Sequence, residues 1–241
     1  HGPLLNDKMG LGLSVLNESI GVLNRSLIYG SYAYRLKIND KSKIAFGLMA
    51  GIENQVNKLS EVKTNDNGIT DPQFAGSPSI VAPNAGLGVY YSTKSFYAGL
   101  SIPRLIDNQV KFSYGNSDVT STRVDFSKFT YYITAGNVFT INEDLKLKAN
   151  GMLKIVQNAP IQMDLGANAL IRDFIWAGLS YRTGSSMSVI LGVQANKQLL
   201  VSYAFDYSTS KIQRYSSGTH EIAINYLFAF KGKKITTPRY F

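Results

Sequence analysis

Between residues 9 and 230 the chain repeats a single unit, an apolar/polar alternating stretch of about ten residues closed by a turn, about twelve times over and without a helical interruption. Alternation of period two is the signature of a strand whose two faces meet different surroundings. It is clearest from Leu145 to Val156. There Leu145, Leu147, Ala149, Gly151, Leu153 and Ile155 share one parity, while Lys146, Lys148, Asn150, Met152 and Lys154 share the other. One such strand suits a soluble sandwich as well as a membrane barrel. The set as a whole decides between them, because the same parity stays apolar in strand after strand: Ile44, Phe46, Leu48, Ala50 and Ile52; Ile161, Met163, Leu165, Ala167, Ala169 and Ile171; Leu199, Val201, Tyr203, Phe205 and Tyr207. None of these positions is charged. The opposite parity collects Glu53, Asp164, Asn168, Arg182, Gln194, Asp206, Glu221 and Asn225 among small residues, the composition of a wet or polar interior.

The expected fold is therefore all-β, an antiparallel transmembrane β-barrel of about twelve strands. Strands are expected at 9–17, 25–38, 43–58, 84–93, 96–106, 127–141, 145–157, 161–171, 174–183, 187–196, 199–209 and 220–230. The connections on one side are short, at 39–42, 93–95, 142–144, 172–173 and 196–198. The other side holds the longer ones, 60–83, 107–126 and 210–219, although 158–160 and 183–186 on that side are also short. Tight periplasmic turns opposite longer outer loops are the rule for bacterial barrels, and place the end of the chain in the periplasm. No linker divides the 241 residues, so the expected organisation is one barrel over 1–230 and a basic periplasmic tail over 231–241.

Bulk properties agree without deciding. Hydrophobic residues make up 44%, an average that a barrel alternating between lipid and lumen reaches as easily as a soluble protein. No window approaches the roughly 18 apolar residues of a membrane helix. Fifteen Tyr and twelve Phe against one Trp favour the aromatic girdles of a barrel. Cysteine is absent, and the sequence opens on His1 without a visible leader, as a mature or trimmed product would.

Little in the chain points to catalysis. The two histidines are His1 and His220; the latter shares a face with Ile222, while Asp206 lies on the opposite parity, which separates an acid–base pair. With no Cys and no His pair, and with Glu61, Asp66 and Asp71 lacking calcium-loop spacing, no metal or other cofactor is expected. The net charge of +9 is spread over interior faces, turns and tail instead of forming an aromatic-studded stripe, so nucleic acid is not an expected partner.

The residues expected to line the lumen are Lys146, Lys148, Lys154, Asp164, Asn168, Arg182, Asp206 and Glu221. The lysines are expected to pair with Asp164 and Glu221 across strands, with an anion-selective pore as the alternative. The connection 60–83 is too long for idle coil, and with 107–126 and 210–219 it is the expected surface for a client, through Asp71, Pro72, Phe74 and Ile80. Lys231, Lys233, Lys234 and Arg239 give the tail four positive charges and no acid, suited to a periplasmic partner or to anionic lipid, with a plain solvated terminus as the alternative.

Several stretches resemble the PorP/SprF family of type IX secretion and gliding-motility proteins of Bacteroidota: HGPLLNDKMGLGLSVLNESIG (1–21), YGSYAYRLKI (29–38), AFGLMAGI (45–52), GLGVYYSTKSFYAGLSIPRLI (86–106), WAGLSYRTG (176–184), YAFDYSTSKIQRYSSGTHEI (203–222) and the closing PRYF (238–241). Their order and spacing carry the resemblance more than any single piece. It implies an outer-membrane protein without enzymatic activity that holds or delivers a secreted adhesin or other type IX client, in contact with periplasmic lipoprotein and ring components and with outer-membrane lipid. It also implies a preceding strand pair, which would bring the barrel to about fourteen strands. A small-solute channel or uptake barrel is the alternative.

Overall fold

The structure, a computed structural model, describes residues 2–4, 8–61, 76–113 and 116–228. All twelve expected strands are present: β2 (Met9–Ile20), β3 (Leu23–Lys37), β4 (Lys43–Asn57), β5 (Ser79–Ser92), β6 (Phe96–Ile102), β9 (Thr130–Thr140), β10 (Leu145–Val156), β11 (Gln162–Ile171), β12 (Ile175–Arg182), β13 (Ser186–Gln194), β14 (Leu199–Ser208) and β15 (Thr219–Tyr226). A short strand, β1 (Gly2–Leu4), precedes them and pairs with β2. The sheet is antiparallel and follows chain order, the fold class that the alternation predicts.

One expected connection is itself structured. Most of 107–126 is taken up by β7 (Ile106–Ser113) and β8 (Asn116–Val124), which pair with each other as a separate two-stranded hairpin. Similarly, the long connection before β5 ends sooner than expected, because β5 begins at Ser79.

Four of the five short turns are closed by a side chain at their start. Asn39, Asn142 and Asn196 each accept a backbone N–H two residues on, at 2.9, 3.0 and 2.8 Å, and the Thr93 hydroxyl does the same for Ser95 and Phe96. The β11–β12 turn places Arg172 and Asp173 at φ 51° and 52°, the left-handed pair of a tight hairpin turn.

The chain forms two compact units. The first comprises residues 1–90 and 101–131, the second 91–100 and 132–241. Both are inside-out relative to a soluble domain. In the second unit, cross-strand partners link rows such as Ala167, Leu179, Val189 and Phe205, and partners share a face. These rows stand open: Leu179 is 62% exposed, Ile222 74% and Ile224 69%. In the first unit Leu13, Leu48 and Ile52 are exposed on the corresponding face. The few buried apolar side chains, including Leu27, Tyr29 and Leu170, belong to the other parity. Exposed apolar faces on strand after strand fit lipid, not water.

Candidate functional site

The eight residues expected to line the lumen all lie in the second unit and share one sheet face. The register shows this directly: Lys148 stands opposite Asn168, Asn168 opposite Gly178, and Asp164 opposite Arg182. Glu221 pairs with Ala204 and Asp206 with Thr219 on the same side. Their partners differ from expectation. Asp164 is held by Arg182, whose Nε and Nη2 donate to its two oxygens at 3.0 and 2.9 Å in a fork-to-fork pair. Lys146 reaches down to Asp173 in the β11–β12 turn at 2.8 Å. Lys148 lies over the Tyr97 ring, 5.4 Å from its centre. Lys154 stands opposite Gln162, and Glu221 is exposed near the start of β15. The expected pairing of lysines with Asp164 and Glu221 is therefore corrected: register places an arginine, not a lysine, against Asp164.

Tyr97 can sit where it does because Gly136 lies beneath it. A Cβ at Gly136 would come within 2.6 Å of the ring. Asn168 bonds Asn150 at 3.2 Å and crowds Gly178 in the same manner. Glycines on this face are thus the floor on which large polar side chains lie flat.

The first unit repeats the device with a denser charge cluster, centred on Glu53 near the long-loop end of β4. Tyr29 lies across Gly51, where a Cβ would meet the Tyr29 ring at 2.6 Å, and donates its hydroxyl to Glu53 Oε1 at 2.6 Å. A single guanidinium nitrogen of Arg104, Nη2, donates to both Glu53 oxygens at 2.5 and 2.6 Å. Arg25 lies 3.4 Å from Glu53 and 3.4 Å from Glu18. Buried Asn84 donates to the Tyr29 hydroxyl at 3.1 Å and to the Pro103 carbonyl at 3.0 Å. Two acids face two arginines, so the charges of the cluster balance.

The cluster also ties down the β7–β8 hairpin. Arg104 stands two residues before β7, the Leu105 N–H donates to Ala85 O at 2.9 Å, and Asn108 Nδ2 to Pro83 O at 2.9 Å. Glu53 was legible as an inward residue, whereas the roles of Arg25, Tyr29, Asn84 and Arg104 were not. Nearer the short-turn end the same unit hollows into a cavity of about 440 Å³, walled by Gly10, Gly47, Gly86 and Gly88 with Arg35 at its side.

The remaining expected residues divide. Ile80 is 7% exposed inside β5 and packs the wall, so it is not offered to a client. Asp71, Pro72 and Phe74, and Lys231, Lys233, Lys234 and Arg239, lie outside the described residues. His220 accepts or donates at Nδ1 with the Tyr203 hydroxyl at 2.6 Å, on the face opposite Asp206. Among the described residues no group of His, Cys, Asp and Glu is placed to hold a metal ion.

Among solved structures the chain is similar to a Pseudomonas aeruginosa FadL homologue, with a TM-score of 0.51 at 12% identity, covering 92% of this chain and 73% of that one. At that identity the likeness speaks for fold alone, that of an outer-membrane barrel. No curated protein matches. The family model described as type IX secretion system membrane protein PorP/SprF matches residues 1–226, nearly the whole sequence. With an all-β fold, apolar outward faces and a polar inward face, this outer-membrane chain belongs to the PorP/SprF family of type IX secretion system membrane proteins.

Proposed function

We propose that this protein is a non-enzymatic scaffold of the type IX machinery, needing no cofactor, built as one barrel over 1–230 with a basic periplasmic tail over 231–241. Its outer loops hold or deliver a secreted adhesin, and its turns and tail meet periplasmic lipoprotein or ring components. The observation that carries this reading is the clamped hairpin. A loop that only had to connect two strands would not need an arginine at its root bonded to an inward glutamate, backed by a tyrosine and a buried asparagine. Such fixing supports a preformed platform, since an ordered surface costs less to bind than a loose one. Asp71, Pro72 and Phe74 in the neighbouring connection are proposed to share in that platform. Lys231, Lys233, Lys234 and Arg239 are proposed to dock the periplasmic side.

The test is affinity purification of the full-length protein from its native kind of host, with the co-purifying proteins identified by mass spectrometry. A stoichiometric large secreted protein, lost when residues 62–75 are deleted without loss of the folded barrel, is the expected result. Steady single-channel conductance in a planar bilayer, with a bare barrel in the purification, would overturn the scaffold reading in favour of a solute channel.

A further inference from the structure

The connection between β14 and β15 carries Lys211 and Arg214, and no acid stands between Tyr207 and His220. Its short 3-10 turn, Lys211–Tyr215, is drawn onto the outward side of the sheet, because the Gln213 amide donates to the Tyr207 hydroxyl. Tyr207 is itself an outward residue, opposite Met187 and in line with Tyr203 and Phe205. The next strand brings His220 to the same place: its ring lies 5.0 Å from that of Phe205, and Nδ1 meets the Tyr203 hydroxyl at 2.6 Å. The neighbouring acids face away, because Asp206 and Glu221 belong to the inward rows. Lys211, Arg214 and Tyr215 are all exposed, Tyr215 to 90%. The rim of the apolar face at this corner therefore combines a patch of aromatic rings with two cations and, among the described residues, no opposing charge.

We infer that this rim binds the phosphate of an anionic lipid head group, with Lys211 and Arg214 gripping the phosphate and Tyr207 and Tyr215 seated at head-group depth above Phe205 and Tyr203. Charge sign selects an anion. Continuity with the exposed apolar rows of β13 to β15 selects a lipid as its source, since only a lipid places its acyl chains on those rows while its phosphate reaches the turn. The Gln213–Tyr207 bond holds the turn at that level and does not let it project into solvent.

The experiment uses the full chain in mixed micelles of phosphatidylcholine and phosphatidic acid, counting retained lipids by native mass spectrometry. Wild type is expected to prefer phosphatidic acid, and the preference to fall about fivefold for each of K211Q and R214Q, the worth of one basic residue near a membrane surface. K197Q removes the same charge from the β13–β14 turn and is expected to leave the preference unchanged. Q213A, which keeps every charge but releases the turn, is expected to weaken it. Heat-dependent gel mobility confirms folding of each variant. Unchanged preference in the K211Q/R214Q double variant would overturn the assignment. So would an equal loss in K197Q, or displacement of the lipid by inorganic phosphate alone at matched concentration, which would make the site one for a soluble anion. Capture of an acidic peptide in place of the lipid would overturn it as well.

Discussion

Replacing Glu53 with glutamine tests the charge cluster at its centre. The substitution keeps shape and leaves one carbonyl oxygen for Tyr29, but removes the charge that Arg25 and Arg104 face at 3.4 and 2.5 Å. Taking one member from a buried ion pair costs about 3–5 kcal/mol, because the partner is left desolvated and uncompensated. The full figure does not apply here. The Arg104 side chain is 52% exposed and can turn to water, so its share approaches that of a surface pair, and Arg25 keeps Glu18. Glu53 itself is only 16% exposed, which keeps its own hydrogen bonds costly to lose. The expected loss is about 2–3 kcal/mol. Reversible urea unfolding from lipid vesicles measures it, alongside R104M, the double variant and E221Q. R104M should cost about 1 kcal/mol, and the double variant should fall short of additivity by about 1 kcal/mol. E221Q, at an exposed site, should lie within about 0.5 kcal/mol of wild type. An E53Q protein as stable as E221Q, or strict additivity with R104M, would refute the cluster as a working unit.

Three further outcomes are expected. G136V places a side chain where the Tyr97 ring lies and should displace both Tyr97 and the lysine resting on it, at about 1–3 kcal/mol in the same unfolding assay. L179R on the apolar row should cost about 2–4 kcal/mol in vesicles, while S180R, one residue on and facing inward, should cost far less, and equal costs would contradict the assignment of faces. Asp125 opens the 3-10 turn after β8 and accepts from Ser127 N at 3.0 Å and Ser127 Oγ at 2.6 Å. These bonds hold its carboxyl below the usual carboxylate range, with Arg123 and Lys128 adding to the effect. A depressed value means that the contribution is present above the ordinary carboxylate pKa and lost as pH falls through the lowered one. Protection of the Ser127 amide, measured against its intrinsic exchange rate, should therefore fall in acid in wild type, whereas D125A, which has no acceptor, should lack that protection at every pH.

How far each feature could be read in advance depends on whether it is local. Which parity of a strand meets lipid is a local property. Leu145 to Val156 display it with no knowledge of neighbours, and the same rule put Glu53, Asp164 and Asp206 on the inward side and His220 on the outward side. Four of the short turns were equally legible, since Asn39, Thr93, Asn142 and Asn196 close them with their own side chains. The hairpin at 106–124 went unseen because a polar loop and a polar two-stranded ribbon have nearly the same composition, and only pairing tells them apart. Charge partners were misassigned for a related reason. Parity says that Lys146, Lys148, Lys154 and Asp164 share a face, but a register fixed by the turns decides that Arg182, not a lysine, stands opposite Asp164. Arg104 finds Glu53 across 51 residues of chain, and Tyr29 can reach it only because Gly51 leaves the floor clear. Alternation by itself therefore determined the twelve expected strands, their two faces and their membrane setting, because a period of two is written residue by residue. The partner of each charge, the clamp on the hairpin and the cavity among the glycines were decided only by the tertiary structure, because they depend on which rows of distant strands are brought side by side.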